Sequence, residues 1–271
     1  MQTILGHEMT HTWTATDMGK WFDEGLAVYY QQRLPWLSHM ISSAAYLSDI
    51  NKTAARYYTN ELSHLSDADV LRDYWSDVRF IVIPYDRGAL YFAVLDSKIR
   101  KASHGKRSID DLIRVVVDRN RREVPTDEAF WVGLLRHELG DEGGAVHEAM
   151  MSGQTLVPDS DAYSPCFHRV AAQIRRYQLG YDQRRAVVDG VVVGLIPGSE
   201  ADRAGIREHD RIVLRTNTDG AQRDPQKIIT VKITRDGRAF PVTYLPRGEP
   251  VSGWQWELQS GMPDSGCRPP Q

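Results

Sequence analysis

Residues 7–11 read HEMTH and residues 21–30 read WFDEGLAVYY, and these two stretches carry most of the information about fold and chemistry. Positions i and i+4 of a helix lie on one face, so the imidazoles of His7 and His11 can reach a single metal ion. Glu8 lies between them and can accept a proton from a water that the metal acidifies. The spacing therefore predicts a zinc site with Glu8 as general base.

The second stretch supplies a third candidate ligand. Apolar residues recur at helical spacing through residues 21–30, and this helix presents Glu24. Two histidines and one carboxylate leave the fourth zinc position open, as in catalytic rather than structural sites. Two alternatives remain open: Asp23 is the ligand instead, or these polar residues belong to solvated helix faces.

These motifs resemble those of the gluzincin metallopeptidases. Residues 7–13 match HExxHxW, and residues 21–25 with Tyr29 and Tyr30 are most similar to the glycyl aminopeptidase family. The resemblance implies one Zn²⁺ ion, Glu24 as third ligand, and hydrolysis of peptide or protein substrates with small N-terminal residues. The loop between the two motif helices is shorter than in the related aminopeptidase N group. The family also carries a β-rich region upstream, so the short start predicts a truncated catalytic domain.

A further candidate lies in residues 83–90, which read IPYDRGAL. They resemble the segment in which gluzincin aminopeptidases carry a tyrosine that stabilises the tetrahedral oxyanion, which implies that role for Tyr85. Arg87 stands where lysine is usual, which keeps the charge and changes its shape. The alternative is a half-buried core tyrosine at a helix start.

The whole chain is predicted to be a multi-domain α+β protein. Helical periodicity predicts a mostly helical gluzincin-type catalytic domain over residues 1–158, with a helix start at 108–111. Residues 159–172 are rich in Asp, Ser and Pro and predict a linker, and residues 173–259 contain β-branched runs that predict a small β-rich, PDZ-like domain. Residues 260–271 are predicted to be a disordered tail.

The PDZ expectation depends on residues 193–213, which resemble the PDZ pattern Pro-Gly-Ser-x-Ala-x-x-Ala-Gly-Ile, although His209 stands where glycine is usual. The resemblance implies a groove for a C-terminal peptide ligand, with Leu179, Gly180 and Tyr181 forming the carboxylate loop. The alternative is a vestigial groove in a unit that only packs on the catalytic domain.

Composition limits the classes of partner. The chain has 271 residues, 41% hydrophobic and 25% charged, which suits one large or two modest domains. A net charge of -3 gives no electrostatic reason to expect nucleic acid or an anionic membrane. The absence of a long apolar run and of signal-peptide features predicts a soluble chain whose compartment stays open.

Cys166 and Cys267 belong to no CxxC pattern, so they form either one bridge or two free thiols. The sequence as a whole is compatible with two functions. The first is a zinc-dependent peptidase, and the second is a peptide-binding or scaffold protein whose metal site is structural or inactive.

Overall fold

The computed structural model is of the α+β class and describes residues 2–14, 16–214, 218–261 and 266–268. The chain divides into two compact units. The first takes the described residues of Met1–Tyr57, Glu61–Val170 and Trp254–Gln271, and the second takes Tyr58–Asn60 and those of Ala171–Gly253. The functional assignment of the two units, catalytic and PDZ-like, stays a prediction.

Helices dominate the first part of the chain. They are α1 (Gln2–Thr14), α2 (Lys20–Leu37), α3 (Ser43–Thr59), α4 (Asp67–Arg72), α5 (Val78–Ala102), α6 (Ile109–Arg121), α7 (Glu128–Leu139) and α8 (Asp141–Met151). The helix start predicted at 108–111 is confirmed, because Ser108 and Asp111 form a capping box at the first turn of α6. No helix in the described residues is both long enough and apolar enough to cross a lipid bilayer.

Two glycines allow α2 and α5 to cross in direct contact. A Cβ atom added at Gly25 would lie 2.4 Å from Cα of Gly88, and one added at Gly88 would lie 2.2 Å from the carbonyl oxygen of Trp21. Neither position can carry a larger side chain without moving backbone. Glu24 precedes the first glycine by one residue and Tyr85 precedes the second by three, so the crossing brings these two residues close together.

Aromatic side chains fill the core around this crossing. Phe22 of α2 is fully buried and packs edge-on against Phe92 of α5 and Trp131 of α7, with ring centroids 5.4 and 5.1 Å apart. Such edge-to-face pairs add stabilisation to the burial of apolar area. Glu24 therefore stands on a helix whose inner face is fixed by close packing.

The predicted linker, residues 159–172, is instead packed structure over much of its length. Ser164, Cys166 and Phe167 are at most 2% exposed, and strand β1 (Phe167–Tyr177) begins within the segment. A disulfide joins Cys166 to Cys267, which settles the two alternatives for the cysteines in favour of a bridge. Apolar burial and the covalent link explain why a segment rich in turn residues is held in place.

The predicted disordered tail is partly contradicted. Cys267 is fully buried in the disulfide, and the Arg268 guanidinium donates hydrogen bonds to the carbonyl oxygens of Trp36 and Ile41. The rest of that prediction, for residues 262–265 and 269–271, lies outside the described residues.

The remaining elements are short. They are α9 (Gln183–Val188), α10 (Glu200–Arg203), β2 (Arg211–Leu214), α11 (Asp219–Arg223), β3 (Ile229–Arg235), β4 (Arg238–Tyr244) and β5 (Arg247–Leu258). Strands β2, β3 and β4 form an antiparallel sheet in that order, and β1 pairs with β5. Alternate β3 residues Ile229, Val231 and Ile233 point into the core of the second unit, as expected for a half-buried strand.

Residues 193–213, which carry the PDZ-like sequence pattern, include the short helix α10 and a tight turn at His209. Ser199 caps α10 by accepting a hydrogen bond from the Asp202 amide, and Ala201 is fully buried. His209, which stands where glycine is usual, has a left-handed backbone with φ of 66°, so a histidine here adopts the conformation that glycine takes without strain.

Candidate metal centre

Three predicted ligands converge at the α1–α2 contact. His7 and His11 of α1 and Glu24 of α2 bring their ligand atoms within 4.8 Å of one another. Oε2 of Glu24 lies 3.2 Å from Nε2 of His7 and 3.4 Å from Nε2 of His11. The three side chains are 13–30% exposed, so the cluster is open to solvent on one side.

The donor set fits a zinc ion. Zinc bonds of about 2.0–2.1 Å at the tetrahedral angle place neighbouring ligand atoms about 3.3 Å apart. The two separations between imidazole nitrogens and the Glu24 oxygen match that spacing. Imidazole nitrogen and carboxylate oxygen are also the ligand types that zinc prefers in catalytic sites.

The charge state of Glu24 suits a ligand. Burial by itself raises the pKa of Glu24, but the hydrogen bond from His7 and the charges of His11 and His7 outweigh it, so that the pKa lies below its usual value. A carboxylate must be deprotonated to bind a metal. Glu24 is thus ionised at neutral pH.

Asp23, the alternative ligand, is held elsewhere. It accepts a hydrogen bond from the Thr16 hydroxyl at 3.0 Å and does not belong to the cluster of converging ligand atoms. Burial raises its pKa to about 6. The geometry therefore favours Glu24 over Asp23.

Tyr85 of α5 lies against the same cluster. Its ring stacks on the His7 imidazole with centroids 5.9 Å apart and planes only 6° from parallel. Burial, the charge of Glu24, and hydrogen bonding with Glu24 and Tyr74 raise the pKa of Tyr85 above its usual value. The phenol is half-buried, as expected if Tyr85 were only a core tyrosine at a helix start. It nevertheless remains protonated and can donate a hydrogen bond beside the candidate ligands.

Glu8 occupies the exposed side of α1 next to His7. Within the described residues it makes no hydrogen bond or ion pair, so its carboxylate is not engaged in the packing of the fold. The predicted general base is therefore accessible to a substrate at the cluster.

Arg87, which stands at the usual lysine position, is fully buried away from the cluster. Its Nη2 donates to the carbonyl oxygens of Ser63 at 3.0 Å and Leu65 at 2.6 Å. Arg87 thus serves packing and backbone hydrogen bonding.

The predicted carboxylate loop of the second unit is largely built into its core. Leu179 and Tyr181 are 7% and 8% exposed. Gly180 has φ of 92° and lies against α10, where an added Cβ would meet the Ala201 side chain at 2.7 Å. Whether residues 179–181 bind a peptide carboxylate stays a prediction.

Two features of the candidate metal centre were not predicted from the sequence. Gly25 and Gly88 gave a signal, since a glycine inside an apolar helical pattern costs about 1 kcal/mol relative to alanine and needs a packing reason. Tyr74, which is hydrogen-bonded with Tyr85, follows α4 in an irregular turn where no periodic pattern points to it.

Comparison with known proteins gives a fold relationship. No protein-family model and no curated protein matches the chain. Among solved structures, the chain is similar to an aminopeptidase N family protein of Idiomarina loihiensis, with a TM-score of 0.60 and 15% sequence identity. The match covers 96% of this chain and 53% of that protein, so this chain spans about half of its length. At this identity the likeness shows a shared fold alone.

Proposed function

We propose that this chain carries the catalytic centre of a zinc-dependent peptidase. The observation that carries the proposal is the convergence of His7, His11 and Glu24 at zinc spacing, with an accessible Glu8 and a phenol donor beside them. The shared fold with an aminopeptidase N family protein adds support.

Each residue has a role in the proposed reaction. His7, His11 and Glu24 would hold the zinc ion, which would supply Lewis acidity and lower the pKa of a bound water toward neutral pH. The Glu8 carboxylate would accept a proton from the attacking water as its oxygen bonds to the scissile carbonyl carbon, and would pass that proton to the amide nitrogen as the C–N bond breaks. The Tyr85 hydroxyl donates a hydrogen bond to the carbonyl oxygen as negative charge develops on it.

The substrate class follows from the resemblance noted in the sequence. We propose an aminopeptidase activity on peptides with small N-terminal residues. Because the chain spans about half of the similar structure, the substrates of the whole protein belong to the same proposal.

Replacing Glu8 by Gln tests the proposal directly. Glu8→Gln should keep stoichiometric zinc by elemental analysis and lose peptide hydrolysis by at least about a hundredfold, because the proton acceptor is removed and the ligands are untouched. The matched control is Glu148→Gln, at an exposed helical glutamate of α8, which should leave hydrolysis unchanged. Bound zinc together with hydrolysis that does not depend on Glu8 would refute the mechanism.

A second candidate function, peptide binding by the second unit, is favoured by one observation. Leu179, Tyr181 and Ile212 line a small apolar pocket, and the neighbouring Val188 is 71% exposed. Titration with a peptide that ends in a free carboxylate measures this function. Zinc binding without Glu8-dependent hydrolysis, combined with saturable binding of that peptide, would favour the scaffold function.

A further inference from the structure

Three side chains form a rim beside the candidate metal centre. Nζ of Lys20 lies 4.8 Å from the centre of the Tyr74 ring. The Trp75 ring packs edge-on against Tyr74, with centroids 4.9 Å apart, and is 82% exposed. A cation and a large exposed aromatic ring thus both contact one tyrosine.

That tyrosine connects the rim to the ligands. Tyr74 is 5% exposed, is hydrogen-bonded with Tyr85, and lies within the electrostatic field of Glu24. Lys20 is also the first residue of α2, one helical turn before Glu24. A single tyrosine ring therefore separates the Lys20 ammonium from the phenol that contacts the metal cluster.

Lys20 differs from the two lysines of α5 that are held in ion pairs. Lys98 is paired with Glu142 and Lys101 with Asp159. Within the described residues, Lys20 has no carboxylate partner, and its ammonium lies over an aromatic face instead. A cation–π contact of this kind leaves the ammonium able to bind an anion from solution.

We infer that Lys20 binds a carboxylate of the substrate, with the exposed Trp75 ring as the wall of that subsite and the buried Tyr74 ring positioning the Lys20 ammonium. An extended peptide advances about 3.3–3.6 Å per residue. A carboxylate two or three residues from the cleaved bond can therefore reach past the Tyr74 ring to Lys20. The inference rests on the proposed function and narrows its substrates. They are short peptides with a free C-terminus near the cleaved bond, or peptides with an acidic residue there.

Binding to the zinc-loaded Glu8→Gln protein tests the subsite without turnover. Dissociation constants are measured by calorimetry for trialanine and its C-terminal amide, and for two tripeptide amides that end in glutamate or glutamine. The first pair tests the main-chain carboxylate and the second tests a side-chain carboxylate. We expect at least one pair to show a roughly fivefold preference for the charged peptide, as for a half-exposed ion pair.

Variants assign that preference to one residue. Adding Lys20→Gln should abolish it, and Lys20→Arg should retain it because the positive charge is kept. Lys106→Gln removes the same charge from an exposed turn after α5 and should leave the preference unchanged. Raising the salt concentration should reduce the preference in proportion to screening.

The outcomes separate this inference from the proposed function. Equal affinity for charged and neutral peptides in both pairs, or a preference that survives Lys20→Gln, overturns the subsite even if the wild-type protein hydrolyses peptides. A Lys20-dependent preference in a protein that does not hydrolyse peptides would support the subsite and refute the proposed peptidase activity.

Discussion

Helices α1 and α2 both supply ligands to the candidate metal centre, but the fold holds them differently. In α2, Trp21, Phe22 and Leu26 are at most 1% exposed, and the helix touches α5 backbone to backbone. In α1, Leu5 and Met9 are 63% and 53% exposed. The carboxylate ligand thus stands on a rigid frame, whereas both histidines stand on a helix packed on one side.

The buried side of α1 is small and polar. Among its described side chains only Thr10 and Thr14 are fully buried, and each hydroxyl donates to a carbonyl oxygen four residues earlier, at 2.9 and 2.7 Å. Because these hydroxyls are satisfied within their own helix, they can be buried without a large penalty. Apart from the Trp13 ring, which stacks on Tyr30, the described residues of α1 bury little apolar area, and a bound metal should contribute more to the stability of α1 than to that of α2.

The largest effect is expected from a substitution at the close contact between α2 and α5. Gly88→Ala places a Cβ into the backbone of α2, so it should lower the free energy of unfolding by about 3 kcal/mol and displace Glu24 from the histidines. Urea denaturation and zinc titration measure both effects. Gly133→Ala in α7 is the matched control: an added Cβ meets nothing within 4 Å there, and stability should rise by up to about 1 kcal/mol. A wild-type stability for Gly88→Ala would contradict the close crossing.

Bound zinc should stabilise α1 more than it stabilises α2. At free zinc a hundred times the dissociation constant, binding adds about 2.7 kcal/mol to the stability of the bound state. Hydrogen exchange should slow more at the amides of α1 than at those of α2, because the described residues of α1 are less buried than those of α2. Greater protection in α2 than in α1 would reverse the comparison. His11→Ala should remove the protection, since it deletes one ligand.

An ion pair holds the far end of α2. Nη1 of Arg33 donates to both carboxylate oxygens of Asp110 in α6, at 2.8 and 2.9 Å. Burial raises the pKa of Asp110, but the charge and hydrogen bonds of Arg33 outweigh it and hold that pKa below its usual value. Because the pKa of Asp110 is lower in the folded than in the unfolded state, the ion pair stabilises the folded state at pH values above the unfolded pKa, near 4. This contribution disappears as the pH falls through the folded-state pKa.

Asp110→Asn should therefore lower the free energy of unfolding by about 2 kcal/mol at pH 7. The difference from wild type should shrink as pH is lowered below about 4. Thermal unfolding between pH 7 and pH 3 measures it. Asp118→Asn, at an exposed residue of the same helix, should change stability by less than about 0.5 kcal/mol, and an equal loss at both positions would argue against a special role for the Arg33 pair.

The smallest effect is expected on the outer face of α1. Met9→Gln should change the free energy of unfolding by less than about 0.5 kcal/mol, because Met9 is exposed. The same replacement at buried Thr10 should cost more than about 1 kcal/mol by overpacking. Chemical denaturation of both variants shows whether α1 is fixed on one side only.

Several features could be predicted from residues close together in the sequence. His7 and His11 share a helix face because their spacing requires it, and Ser108 and Asp111 mark a helix start by their own hydrogen bonds. Helical periodicity after residue 20 likewise predicts the helix that carries both Asp23 and Glu24. These are local properties, and the backbone geometry of one helix decides them.

What only the tertiary structure decided depends on contacts between distant segments. Asp23 and Glu24 were alternatives in the sequence, and the packing of α2 against α1 turned Glu24 to the histidines while Thr16 held Asp23. The turn-rich segment around Cys166 looked like a linker until its disulfide partner, 101 residues away, placed it in a core. The Gly25–Gly88 contact likewise joins two helices whose meeting no local pattern specifies, because side-chain packing selects among many possible helix crossings.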